Sequence, residues 1–189
     1  MKPARARPIS PAPVRAAAED ASRLQGVKDD FIAQWGALGS TWGISRTMAQ
    51  IHALLMASPR PLSTDEVMAE LRISRGNANT NLRDLVGWGL VRSVVRKGER
   101  KEFFESEKDV WKMFCTIVRE RKRREITPAL EALNHCAAKS RAIKSPAATE
   151  FHRVLIGLAE FVRLADNVMD KVARADQSSV VPWALRLLR

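Results

Sequence analysis

Apolar positions recur every three or four residues along most of this chain, and the breaks in that rhythm mark its elements. Phe31, Trp35 and Leu38 share one face of a helix predicted over 27–40. Ile44, Met48, Ile51 and Leu55 predict a second amphipathic helix. It stops at "SPRP" (58–61), because each proline removes an N–H donor and disfavours helix in the residue before it. Ser63 followed by Glu66 is a capping box, with Leu62 as the staple residue, and it opens a short helix with Val67, Met68 and Leu71 inward. Ser74 is placed to cap one more helix by accepting from the N–H of Asn77. Two short helices with a three- or four-residue join form a helix-turn-helix layout.

The second of these helices has two unlike faces. Ala78, Leu82, Leu85 and Val86 lie together on one side, while Gly76, Asn77, Thr80, Arg83 and Asp84 lie on the other with Asn79 at its edge. Asparagine and threonine are mediocre helix formers, so propensity alone does not explain that second face. Gly87 and Gly89 supply the ending. "LVRSVV" (90–95) and "KEFFE" (101–105) are β-prone and are joined by the basic turn "RKGER", which predicts a hairpin, or wing.

Residues 108–127 return to helical spacing, with Val110, Trp111, Phe114, Ile117 and Val118 expected inside and Pro128 starting or kinking the next segment. Over 149–173, Phe151, Leu158, Ala165 and Val172 repeat every seven residues, and Val154, Phe161 and Val168 fill a second seam. Leu155, Val162 and Met169 widen the stripe to three in seven, which suits a helical bundle or subunit interface better than a bare two-stranded coiled coil. Phe151, Val154, Leu155, Leu158, Phe161, Val162, Ala165 and Val168 are therefore the expected dimerisation surface. Residues 1–23 hold four of the nine prolines and are read as a disordered basic tail. The predicted fold is mainly α with a small β-wing. The tail (1–23) is followed by a winged helix-turn-helix domain (24–106) and a helical dimerisation region (107–189).

A net charge of +11 points to a polyanion such as nucleic acid. The densest run, "RERKRR" (119–124), fits a solvated helix face laced with Arg–Glu pairs or a contact to DNA backbone or a partner. Cys115 and Cys136 form no CxxC, and His52, His135 and His152 have no metal-ligand spacing, so no cofactor or metal is expected. Each histidine is read as a half-exposed helix residue. The tryptophans and phenylalanines are read as core. GxSxG, Walker A and GxGxxG motifs are absent, and nothing argues for an enzyme. No apolar run reaches membrane-spanning length, and no signal-peptide core is present, so a cytoplasmic protein is expected.

Amides and guanidinium groups on a short-side-chain helix can pair bidentately with base edges in the major groove, asparagine with adenine and arginine with guanine. That chemistry selects Ser74, Arg75, Gly76, Asn77, Asn79, Thr80 and Arg83 as DNA-facing. Arg96, Lys97, Arg100 and Lys101 would meet phosphates or the minor groove from the wing, with Glu99 and Glu102 neutralising part of its tip. A solvated helix face and a charged strand edge would share these compositions. Two other readings stay open: a module that binds a protein through its apolar stripe, and a protein that coats nucleic acid without sequence preference.

Residues 35–105 resemble the GbsR branch of the MarR-type winged-helix transcriptional regulators. The most specific segments are "WGISRTMAQIHALL" (42–55), "LSTDEVMAELRISRGNANTNLRDLVGWGLV" (62–91) and "KGERKEFF" (97–104). Ala78 and Asn79 stand where relatives often carry Val and Ser. The resemblance implies a homodimer that binds double-stranded DNA, often as a repressor released by a small molecule whose identity the motifs do not give.

Overall fold

Helix α1 (Ala12–Thr41) begins well inside the stretch expected to be a disordered tail. Ala16, Ala17 and Ala18 are the strongest helix formers, and Pro13 sits in the first turn where its missing N–H costs nothing, so local propensity overrides the composition argument over 12–23. The computed structural model describes residues 12–175, and the first eleven residues of the predicted tail lie outside them.

α1 packs against α2 (Arg46–Ala57), and the approach is close. A Cβ built on Gly39 would stand 2.4 Å from the Ala49 Cβ, which only glycine avoids. Ser45 caps α2 by accepting from the Met48 N–H. Met48, Ile51 and Leu55 are buried as their spacing predicts. His52 is buried too, 4% exposed, with its ring 6.5 Å from that of Trp35. This corrects the half-exposed placement: neighbours at i−1 and i+3 carry the inward face wide enough to take the imidazole. Burial lowers its pKa to about 4, and Nε2 has no hydrogen-bond partner among the described residues.

β1 (Leu62–Ser63), α3 (Thr64–Leu71) and α4 (Arg75–Gly87) come next, then β2 (Val91–Val95) and β3 (Glu102–Ser106). The strands form one antiparallel sheet in the order β1-β3-β2, with Leu62 opposite Phe104 and Ser63 opposite Phe103. The protein is mainly α with a small β-wing, a winged helix-turn-helix fold. Ala78, Leu82, Val67 and Phe104 are fully buried in this part of the molecule.

α5 (Val110–Arg121), a π-helical turn (Lys122–Ile126), α6 (Thr127–Arg141) and α7 (Pro146–Arg174) complete the described chain. The expected inward face of α5 is corrected. Val110 and Phe114 are exposed, Trp111, Ile117 and Val118 are half-buried, and Met113, Cys115, Thr116 and Glu120 lie inside. A glutamate takes a core position because Arg123 and Arg124 neutralise it, something apolar counting cannot register. Pro128, at the start of α6, has no N–H to give the Arg124 carbonyl, and the widened turn sits where that bond is lost.

α7 packs on α5 and α6 and divides its stripe in two. Leu155 and Ala159 are buried, and Val162 and Met169 are half-buried, against the helices of the same chain. Phe151, Val154, Leu158, Phe161 and Val168 are exposed, with Ala165 half-buried. The described residues fall into two compact units: those before Leu85 together with Ser93–Glu105, and Leu85–Arg92 together with those from Ser106 on.

Candidate nucleic-acid interface

The site starts from two caps. Ser63 Oγ accepts from the Glu66 N–H, and the Glu66 carboxylate accepts from the Ser63 N–H at 2.7 Å, closing the capping box that starts α3. Arg60 pairs with the same carboxylate at 2.7 Å, and together these donors hold Glu66 down to about pKa 2. α3 ends at Arg72 in the left-handed conformation, φ 53°, three residues before α4. Ser74 Oγ then accepts from the Asn77 N–H at 3.3 Å and starts α4.

α4 turns Ala78, Leu82 and Leu85 into the core. Ser74, Arg75, Gly76, Asn77, Asn79, Thr80 and Arg83 are all exposed on its other side. Asn81 is buried, and its Nδ2 donates to the Asn77 carbonyl at 2.8 Å and to Asn77 Oδ1 at 2.7 Å. One asparagine thus fixes the side chain of another, leaving the Asn77 amide nitrogen facing outward. At the wing, the Glu99 N–H returns to the Arg96 carbonyl across a tight turn whose third residue, Gly98, has φ +87°. Lys97 and Arg100 are exposed there. Arg96, the first residue of that turn, is half-buried instead, its guanidinium 4.2 Å over the Phe103 ring.

No protein-family model matches the chain. It is 25% identical over 97 residues to the HTH-type transcriptional repressor GbsR of Bacillus subtilis, covering 51% of this chain and 53% of that protein. It is 20% identical over 94 residues to YvaV, an HTH-type regulator of the same organism, covering 50% and 53%. The chain therefore spans about half the length of the curated relatives it matches. The crystal structure of a transcriptional regulator superposes with a TM-score of 0.60 at 23% identity, covering 79% of this chain and 98% of that one, which carries the fold. Over about half its length the chain is similar to a GbsR-type helix-turn-helix regulator.

The charges of the site are extensively paired. Arg83 Nη1 donates to Glu102 Oε1 at 3.2 Å and Nη2 to Oε2 at 2.6 Å, while Ser93 Oγ donates to Oε1 at 2.6 Å. Ser93 first and Arg83 second hold the Glu102 carboxyl below its usual range. Glu102 was expected to neutralise the wing tip; its partner is the helix arginine. Asp65 takes Lys101 Nζ at 2.8 Å and Arg75 Nη2 on its other oxygen, and both cations lower its pKa. Sequence reasoning missed Asp65, Ser93 and Asn81. Only Asp65 had a local cue, as an acidic residue in the first turn of α3.

The "RERKRR" run behaves differently. Arg123 and Arg124 grip Glu120, Arg121 pairs with Glu125, and Lys122 sits between Asp166 and Asp170 at 3.1 and 3.3 Å. Arg119 donates to the Ala173 carbonyl at 2.8 Å, and Arg124 also lies over the Trp88 ring. Among the described residues no three His, Cys, Asp or Glu side chains gather to hold a metal, and no helix is long and apolar enough to cross a membrane.

Proposed function

We propose that the protein is a sequence-specific DNA-binding transcriptional regulator that acts as a homodimer, with α4 reading the major groove and the β2–β3 wing resting on the backbone or minor groove. The observation that carries this is the single exposed face of α4. It offers two amides, a hydroxyl and two guanidiniums, starts immediately after a three-residue turn, and has a wing bearing exposed cations. The name of one relative, the repressor GbsR, supports a repressor.

The dimer is assigned to residues 107–189, through α7. Phe151, Val154, Leu158, Phe161, Ala165 and Val168 succeed one another in alternating steps of three and four residues, the spacing of a coiled-coil seam. Leu155 and Val162, expected on the same surface, are taken by the chain's own α5–α7 packing and leave that assignment. Two copies would set their α4 helices on half-sites about 34–36 Å apart. Release by a small molecule rests on the resemblance. Two clefts among the described residues of the first unit hold about 160 and 210 Å³, each below the roughly 300 Å³ of a common small-molecule site. A coating protein loses support because the cations of 119–124 are engaged within their own unit.

The test is a binding selection from genomic fragments with purified protein at about 150 mM salt. A two-fold-related enriched motif is the expected result; enrichment of no motif would overturn sequence-specific reading. Phe161→Glu, measured by sedimentation, should yield monomer.

A further inference from the structure

The fork of Arg83 is already occupied. Its two terminal nitrogens each donate to one oxygen of Glu102. Those are the N–H groups that a guanidinium offers to the paired acceptors of guanine or to a phosphate, so one edge cannot hold Glu102 and DNA together. Ser93 keeps the carboxylate in place from its other side. Asp65 repeats the arrangement, one oxygen on Arg75 and the other on Lys101, and so ties α3 to α4 and to the residue preceding β3. Lys97 and Arg100, on the same wing, have no partner among the described residues.

We infer that Glu102 and Asp65 are resident counter-ions of the reading face: they stand where acceptors on DNA would stand, and a duplex recruits Arg83, Arg75 and Lys101 only by displacing them. The inference rests on the DNA-binding reading above. A random duplex offers single phosphate contacts, which return little more than the carboxylates they would replace. Such a complex leaves the carboxylates in place and is held by Lys97 and Arg100. A matching site adds base-edge contacts to the exchange and completes it. Two acidic residues thereby hold down the protein's grip on DNA of no particular sequence.

The salt dependence of binding reads the exchange, because each phosphate contact adds about 0.9 to the slope of log K against log salt. Full-length wild type, Glu102→Gln, Asp65→Asn and Glu99→Gln are titrated against a labelled random-sequence duplex across a potassium chloride series by fluorescence anisotropy. Glu102→Gln should bind about two- to five-fold tighter and steepen the slope by about one phosphate. Asp65→Asn, which frees two cations, should steepen it at least as much. Glu99→Gln removes the same charge without freeing a cation and should shift affinity while leaving the slope alone. Binding by wild type with unchanged slopes in both Glu102→Gln and Asp65→Asn would overturn the inference and leave the DNA reading standing. Should Glu102→Gln fail to fold, the Asp65→Asn slope decides alone. No binding of wild type to random or genomic duplex at any salt would remove both.

Discussion

The run from Arg119 to Arg124 and the cations on α4 and the wing look alike as sequence, yet they end differently. In the run, Arg123 and Arg124 converge on Glu120, whose side chain is 11% exposed. On α4 and the wing, the partner carboxylates of Asp65 and Glu102 are 41% and 32% exposed. A carboxylate withdrawn from water must keep its cations, because losing them would leave a buried charge unpaired. A carboxylate in water gives its cations up cheaply, since an exposed pair contributes about 0–1 kcal/mol. Density of positive charge therefore does not locate an interface.

Acid should have the largest effect, and on stability. His52 is neutral in the fold, with its pKa lowered from 6.5 to about 4 by burial. The unfolded chain takes up a proton that the folded chain refuses, so stability present above pH 6.5 is lost as pH falls towards 4, by about 3 kcal/mol. Glu120, whose pKa is lowered chiefly by Arg123, loses its contribution only as pH falls below the ordinary carboxylate value. Urea melts of wild type and His52→Leu across this range should show the steep dependence in wild type alone.

Next in size, Arg83→Ala should lower affinity for a selected site by about 1–3 kcal/mol and relax discrimination at one base position. Unchanged binding to both selected and random DNA would remove α4 as the reading helix. Glu120→Ala should cost at most about 1 kcal/mol of stability in a urea melt, because Arg123 and Arg124 are themselves exposed and water solvates them once released, with duplex affinity of the folded protein retained. Smaller again, Lys97→Ala should weaken all sequences alike and reduce the salt slope by about one. Least of all, Arg123→Gln should leave duplex affinity within about 0.5 kcal/mol in an anisotropy titration.

Signals that act within four residues were legible in the sequence. The Ser63–Glu66 box, the Ser74 cap and the inward row of Ala78, Leu82 and Leu85 all stand where spacing puts them. Pairings between distant residues were not. Leu62 reads as a staple beside its own helix, and nothing nearby announces Phe104 as its strand partner. Arg83 and Glu102 are 19 positions apart, so their fork could be found only once hairpin and helix were in space. α5 misled because apolar periodicity assumes that charge stays outside, and Glu120 does not.

The split stripe of α7 has a consequence for every titration of this protein. If the proposed dimer forms through Phe151, Leu158 and Phe161, which are exposed in a single chain, self-association would be a mass-action step that precedes occupancy of a two-fold site. Below the dissociation constant of the pair, binding curves should rise more steeply than a simple hyperbola, and their midpoints should track chain assembly as much as base reading. On the proposed reading, protein concentration would work as a dial on occupancy, and a small change in abundance would be amplified at the DNA site.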